Sequence, residues 1–260
     1  MKNRVYFFTG TGNSLNVAQN IAASLDDCEV VAIHKGMNPT VPSGFERIGF
    51  VFPVYFWGLP RMVADFLRTA KFPVQGDTYY FAVATFGGII GNSLPQVKRL
   101  LSTNDVKLNY GGGVRSFANA VSFYEMKEDV EKITRKADTR AQKVIAAIAA
   151  RRPRKIGNGL KQIEKIYQRN ISRFPERAKA YTVNADCISC GICVSVCPAQ
   201  NIELVDGRPV FGDHCEACLA CIQHCPKRAL NDGEKTQARR RYTHPAIGYK
   251  MIANYYHKEE

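Results

Sequence analysis

The sequence predicts an α/β chain, with a doubly wound, five-stranded parallel sheet in the first half and a small cysteine-rich α+β unit in the second. Two observations carry this expectation. Up to about residue 150, apolar runs of strand length alternate with amphipathic stretches of helical period. Further on, eight of the nine cysteines fall into two identical runs, Cys187-x-x-Cys190-x-x-Cys193-x-x-x-Cys197-Pro198 and Cys215-x-x-Cys218-x-x-Cys221-x-x-x-Cys225-Pro226.

Residues 4–8, Arg-Val-Tyr-Phe-Phe, read as a buried first strand. It runs into Thr9-Gly10-Thr11-Gly12-Asn13-Ser14 and then a helical stripe at Val17, Ala18, Ile21, Ala22 and Leu25. Further strands are expected at 29–33, 47–52, 79–85 and 107–115, with helices at 60–69, 91–101 and 126–150. The boundaries that follow are 1–150 for the sheet domain, 151–180 for a basic connector, 181–230 for the cysteine unit and 231–260 for a tail.

The first strand-to-helix turn has the chemistry of a phosphate site. Small glycines and hydroxyls let backbone N–H groups converge, and the helix adds its positive N-terminal end. The loop contains no lysine and no P-loop pattern, which argues against a nucleotide triphosphatase, and its glycine spacing differs from the dinucleotide fingerprint.

Ligands of doubly wound sheets bind beyond the carboxyl ends of the strands. Two loops fall there: Pro53-Val54-Tyr55-Phe56-Trp57-Gly58, holding the single tryptophan, and Thr85-Phe86-Gly87-Gly88 with Asn92 nearby. An aromatic of the first loop is positioned to stack on a planar ligand, and the backbone of the second can approach its edge. The competing reading makes Tyr55, Phe56 and Trp57 core or interface aromatics.

The cysteine runs have the spacing that wraps two 4Fe-4S clusters. Because the fourth cysteine crosses over, Cys187, Cys190, Cys193 and Cys225 are expected to hold one cluster, and Cys215, Cys218, Cys221 and Cys197 the other. Zinc sites use paired knuckles rather than three cysteines in series, and disulfides need an oxidising compartment.

The second run of features, from about residue 181 to 230, resembles bacterial-type dicluster ferredoxins. The Thr9–Ser14 turn looks like the FMN phosphate loop of flavodoxins, with hydroxyls matching Thr9, Thr11 and Ser14. As a whole the chain resembles the flavodoxin-ferredoxin fusion proteins of anaerobic bacteria and archaea, including its Pro53–Pro60 loop and the tail run Arg241-Tyr242-Thr243-His244-Pro245. It departs from them at 114–119, where the family reads Met-Pro-Asn-Asn-Tyr-like. The resemblance implies a flavodoxin-like sheet with FMN, two 4Fe-4S clusters and a low-potential electron donor such as a ferredoxin or reductase.

Neither a signal-peptide core nor an uninterrupted apolar run of membrane-spanning length is present, so a cytoplasmic protein without membrane insertion is expected. Of the formal charge of +13, the connector at 151–180 holds ten cations against two acids. Such a segment binds nucleic acid or an acidic partner, or forms a solvated helix. The last reading is preferred because no nucleic-acid module accompanies it. Cys28 is read as a spare thiol, since its neighbours Asp27 and Glu29 raise rather than lower a thiol pKa. His214 and His224 are expected in exposed loops, and His244 either over the flavin or against the cysteine unit.

These features point to an electron-transfer iron-sulfur flavoprotein serving a two-electron acceptor. The alternative is a carrier or docking module serving a partner redox enzyme. Nucleic-acid binding is the weakest reading.

Overall fold

A computed structural model describes residues 2–74 and 76–257, with the side chain of Lys235 left out. Its first half runs β1 (Lys2–Phe7), α1 (Asn13–Ala23), β2 (Cys28–Ala32), β3 (Phe45–Pro53), α2 (Arg61–Thr69), β4 (Tyr79–Phe86), α3 (Ser93–Ser102), β5 (Leu108–Arg115) and α4 (Val130–Ala149). All five strands are parallel in the order β2-β1-β3-β4-β5, the flavodoxin-like arrangement with its switch point beside β1 and β3.

Both faces of this sheet are covered, so its strands are apolar throughout rather than alternating. Val5, Phe7, Val51, Phe81 and Val83 pack towards α1 and α4. Tyr6, Phe8, Phe50, Phe52 and Tyr80 pack towards α2 and α3. The last helix begins at Val130, later than the apolar pattern suggests, because Asp129 caps it by accepting the Lys132 N–H at 3.0 Å.

The second half continues with α5 (Lys161–Ile171), β6 (Tyr181–Val183), α6 (Ile192–Ser195), β7 (Ile202–Val205), β8 (Arg208–Phe211), α7 (Ala220–Gln223), β9 (Leu230–Asp232) and α8 (Tyr249–Tyr256). Two antiparallel ribbons, β6 with β9 and β7 with β8, enclose the short helices that carry Cys193 and Cys221.

The halves share their interiors. Ile247, Ile252 and Tyr256 of the chain end and Val196 and Ala220 of the cysteine unit join the core beneath α1. The connector helix α5 turns Lys161, Lys165 and Arg169 outward and buries Tyr167 and Ile171. Among the described residues, no helix is long and apolar enough to cross a membrane.

Candidate functional site

Beyond β1 the chain turns through Thr9–Gly12 into α1. Gly12 occupies the N-cap position with φ 100°, a left-handed conformation that glycine adopts without cost. A Cβ there would also strike His244 and Ile247 at 2.8–2.9 Å. No side chain caps α1, which leaves its first-turn N–H groups open to an anion. The hydroxyls are held from several sides. Thr9 Oγ1 accepts the Gly12 N–H at 3.1 Å, Ser14 Oγ lies 2.8 Å from Thr85 Oγ1, and Thr11 Oγ1 accepts from Asn119 Nδ2.

The loop opens into a cavity of about 340 Å³. Its walls come from Thr9–Thr11, Asn13, Ser14, Pro53–Trp57, Thr85–Ile89, Ser116–Ala120, Phe123, Tyr124 and Cys218. Among the described residues, no lysine, arginine, histidine, aspartate or glutamate lines it. An anion there would rely on helix dipole, backbone N–H groups and hydroxyls.

The aromatic loop is a two-residue hairpin turn. Tyr55 and Gly58 exchange backbone hydrogen bonds of 2.9 Å, while Phe56 and Trp57 sit at φ 43° and 66°. Such a turn ordinarily takes Asn-Gly, because both central residues are left-handed. The conformation persists because neighbours over-determine it. The Trp57 carbonyl accepts the Asn92 N–H at 2.7 Å, Gln96 Oε1 accepts the Leu59 N–H at 2.8 Å, and the Tyr167 hydroxyl donates to the Leu59 carbonyl at 2.8 Å. Gln96 is itself held by Glu164 of α5 at 3.1–3.2 Å.

Two residues grouped with the flavin loops by sequence therefore face elsewhere. Gly58 packs on Tyr167, where a Cβ would meet the ring at 2.3 Å, and the Asn92 side chain donates to the Leu160 carbonyl at 2.8 Å. Sequence reasoning tied the stretch at 114–119 to the outer wall of the pocket but named no site residue there. Ser116–Ala120, Phe123 and Tyr124 line the cavity, and Phe117 stacks on Tyr242 with ring centroids 4.3 Å apart. The signal available was the departure at 114–119.

The cysteines line two separate cavities. Cys187, Cys190, Cys193 and Cys225 line one small cavity, and Cys197, Cys215, Cys218 and Cys221 line another. Among the described residues, no three histidine, cysteine or acidic side chains converge on a single metal ion. A cubane core holds its four thiolates farther apart than one ion's shell does, so this donor set fits a cluster better than mononuclear zinc. Burial pushes the Cys193 and Cys215 thiols up to about 11 and those of Cys218 and Cys221 well above the usual thiol range. Four thiolates would be stable in such surroundings only around a cationic core.

Cys218 lines the second cysteine cavity and the loop cavity alike. Contact between the halves is close, since a Cβ on Gly10 would stand 2.5 Å from the Cys218 carbonyl oxygen. His224, expected in an exposed loop, is instead buried at this seam, and burial pulls its imidazole down to about 4. It is neutral at physiological pH, with Nε2 donating to the Gly10 carbonyl at 3.3 Å. His214 is exposed beside Asp213. His244 packs over the Thr9–Gly12 turn and gives its backbone N–H to the Thr11 carbonyl at 2.8 Å. Tyr256 reaches the same loop, its hydroxyl donating to the Thr9 carbonyl at 2.5 Å and accepting the Thr9 N–H at 3.2 Å.

Cys28 lies apart from both cavities, half-buried on the edge strand β2. Burial first, then Glu29 and Asp27, push its thiol up to about 11. In the reconstituted protein at mildly alkaline pH, Cys28 is expected to react with iodoacetamide at least ~10-fold more slowly than a free cysteine. Peptide mass spectrometry checks this, and alkylation at the rate of the unfolded chain would contradict it.

Residues 179–239 match the family described as the 4Fe-4S dicluster domain. A ferredoxin of Pyrobaculum islandicum is 36% identical over 47 residues, which are 17% of this chain and 44% of that ferredoxin. The chain thus spans less than half the length of the curated relative it matches. Among solved structures, the flavodoxin of Streptococcus pneumonia TIGR4 superposes with TM-score 0.38 at 15% identity, over 56% of this chain and 99% of that one. The FMN-dependent NADH-azoreductase of Bacillus anthracis gives TM-score 0.40 at 10% identity, over 57% of this chain and 100% of that one. The flavodoxin-like assignment rests on the strand order, and the iron-sulfur assignment of the second lobe on the matched domain family.

Proposed function

We propose that the protein is an electron-transfer iron-sulfur flavoprotein. FMN lies in the loop cavity, one cluster is held by Cys187, Cys190, Cys193 and Cys225, and a second by Cys197, Cys215, Cys218 and Cys221. The observation that carries this reading is the sharing of Cys218 between the flavin and cluster cavities. When bound, the clusters supply one-electron steps and FMN a two-electron store, which suits a low-potential donor such as a ferredoxin or reductase and a two-electron acceptor.

The chain's own residues set the geometry. Thr9–Ser14 and the open end of α1 hold the phosphate. The strained Tyr55–Gly58 turn, fixed from α3 and α5, presents Phe56 and Trp57 to the ring. Gly10 and His224 hold the phosphate loop against the second cysteine cavity. The outer cavity has an exposed ligand, Cys190, and exposed apolar neighbours Ile188, Leu204, Val205 and Val210. Electrons from a donor protein would enter there.

The test is Cys190→Ala in protein loaded with iron, sulfide and FMN. Flavin reduction by a reduced ferredoxin is expected to fall at least ~10-fold, while FMN stays bound, because the entry cluster is lost. Unchanged flavin reduction would contradict the reading. The outward cations of α5 favour a second reading, a carrier that docks on an acidic partner enzyme. Under it, association is salt-sensitive and the isolated chain turns over no small acceptor.

A further inference from the structure

Tyr181, at the start of β6, is 8% exposed, and its hydroxyl has no hydrogen-bond partner among the described residues. A buried hydroxyl without a partner is costly, and such groups in native proteins mark a ligand, ion or water. The place of this one is specific: Tyr181 lines the cavity ringed by Cys197, Cys215, Cys218 and Cys221. Its ring is held edge-on against Phe211 at 5.8 Å, so the hydroxyl is fixed in direction.

Among the described residues, the outer cavity has no counterpart. Its only hydroxyl among the described residues, on Ser189, already donates to the Gly207 carbonyl. We propose that the Tyr181 hydroxyl donates a hydrogen bond to a sulfur of the cluster next to the flavin cavity, raising the potential of that cluster and leaving the outer one untouched. The inference rests on the cluster assignment made above. A hydrogen bond to sulfur stabilises the reduced, more negative state over the oxidised one, so the midpoint moves upward. The effect falls on the cluster that shares Cys218 with the flavin cavity, so an electron entering at the outer cluster is drawn inward.

The test is an anaerobic potentiometric titration of the fully reconstituted protein and its Tyr181→Phe variant, with the clusters followed by electron paramagnetic resonance. Resonance Raman spectra in H₂O and D₂O are recorded in parallel. The variant is expected to lower the midpoint of one iron-sulfur transition only, and to lose a D₂O-sensitive component of the Fe–S stretches. Two unshifted midpoints with full iron content would overturn the hydrogen bond while leaving the cluster assignment standing. If the variant fails to retain iron, 3-fluorotyrosine at position 181, a stronger donor, is expected to raise the same midpoint, and no shift would overturn the proposal. Wild-type protein whose Cys218 is alkylated after reconstitution would overturn the cluster assignment and the hydrogen bond with it.

Discussion

Gly10→Ala is expected to uncouple the flavin from the clusters while both kinds of cofactor remain bound. The added Cβ would lie 2.5 Å from the Cys218 carbonyl oxygen and 3.4 Å from the carbonyl carbon. These are backbone atoms in a segment fixed by its role at the cysteine cavity, so no flexible side chain can yield. Overpacking of this kind costs about 1–3 kcal/mol. It can be relieved only by moving the phosphate loop away from Cys218, stretching the 3.3 Å contact from His224 to the Gly10 carbonyl. Stopped-flow spectra should show cluster reduction at the wild-type rate and flavin reduction slowed at least ~10-fold, with thermal unfolding lowered by several degrees. Flavin reduction at the wild-type rate would show that the Gly10–Cys218 contact has no part in coupling.

Tyr256→Ala is expected to cost about 3–5 kcal/mol, the range for removing a large buried aromatic side chain. The residue is 1% exposed, belongs to the core beneath α1, and spends its hydroxyl on both backbone groups of Thr9. Its loss opens a cavity and frees the phosphate loop, so FMN affinity should fall together with stability. Tyr256→Phe separates the two effects. It keeps the packing and removes the hydroxyl, leaving the buried Thr9 groups unpaired, at about 1–3 kcal/mol. Chemical denaturation and FMN titration of both variants check this, and a Phe variant that binds FMN as the wild type does would contradict the role given to the hydroxyl.

What could be read from the sequence was what is encoded locally. The crossed division of the cysteines is an expectation from spacing within two short runs, and the order of strands and helices is read from period alone. The Thr9–Ser14 turn stands out because its small residues fall in one continuous stretch. The features that were not legible join residues far apart. His224 is buried because it meets Gly10, 214 positions away, and Tyr256 meets Thr9 across 247. Nothing in the neighbourhood of either residue signals such a contact. The same holds for Gly58 and Asn92. Their loops are flavin loops by pattern, but the connector helix occupies the space behind them, and its inward Tyr167 and Glu164 are hidden within a run of cations. The wall at 116–124 lacks periodicity altogether; its one sequence signal is the departure at 114–119, and its place is fixed by what packs on it, Tyr242 of the tail.

The central claim is that electrons pass within one molecule between the second cysteine cavity and the flavin cavity, across the seam at Gly10 and Cys218. The most direct measurement is anaerobic stopped-flow reduction of fully reconstituted protein by a small one-electron donor over a range of protein concentrations, with clusters and flavin followed separately. The expected result is cluster bleaching first, then flavin bleaching at a rate independent of protein concentration. A flavin rate that grows in proportion to protein concentration, or that is unchanged when the clusters are absent, would contradict it.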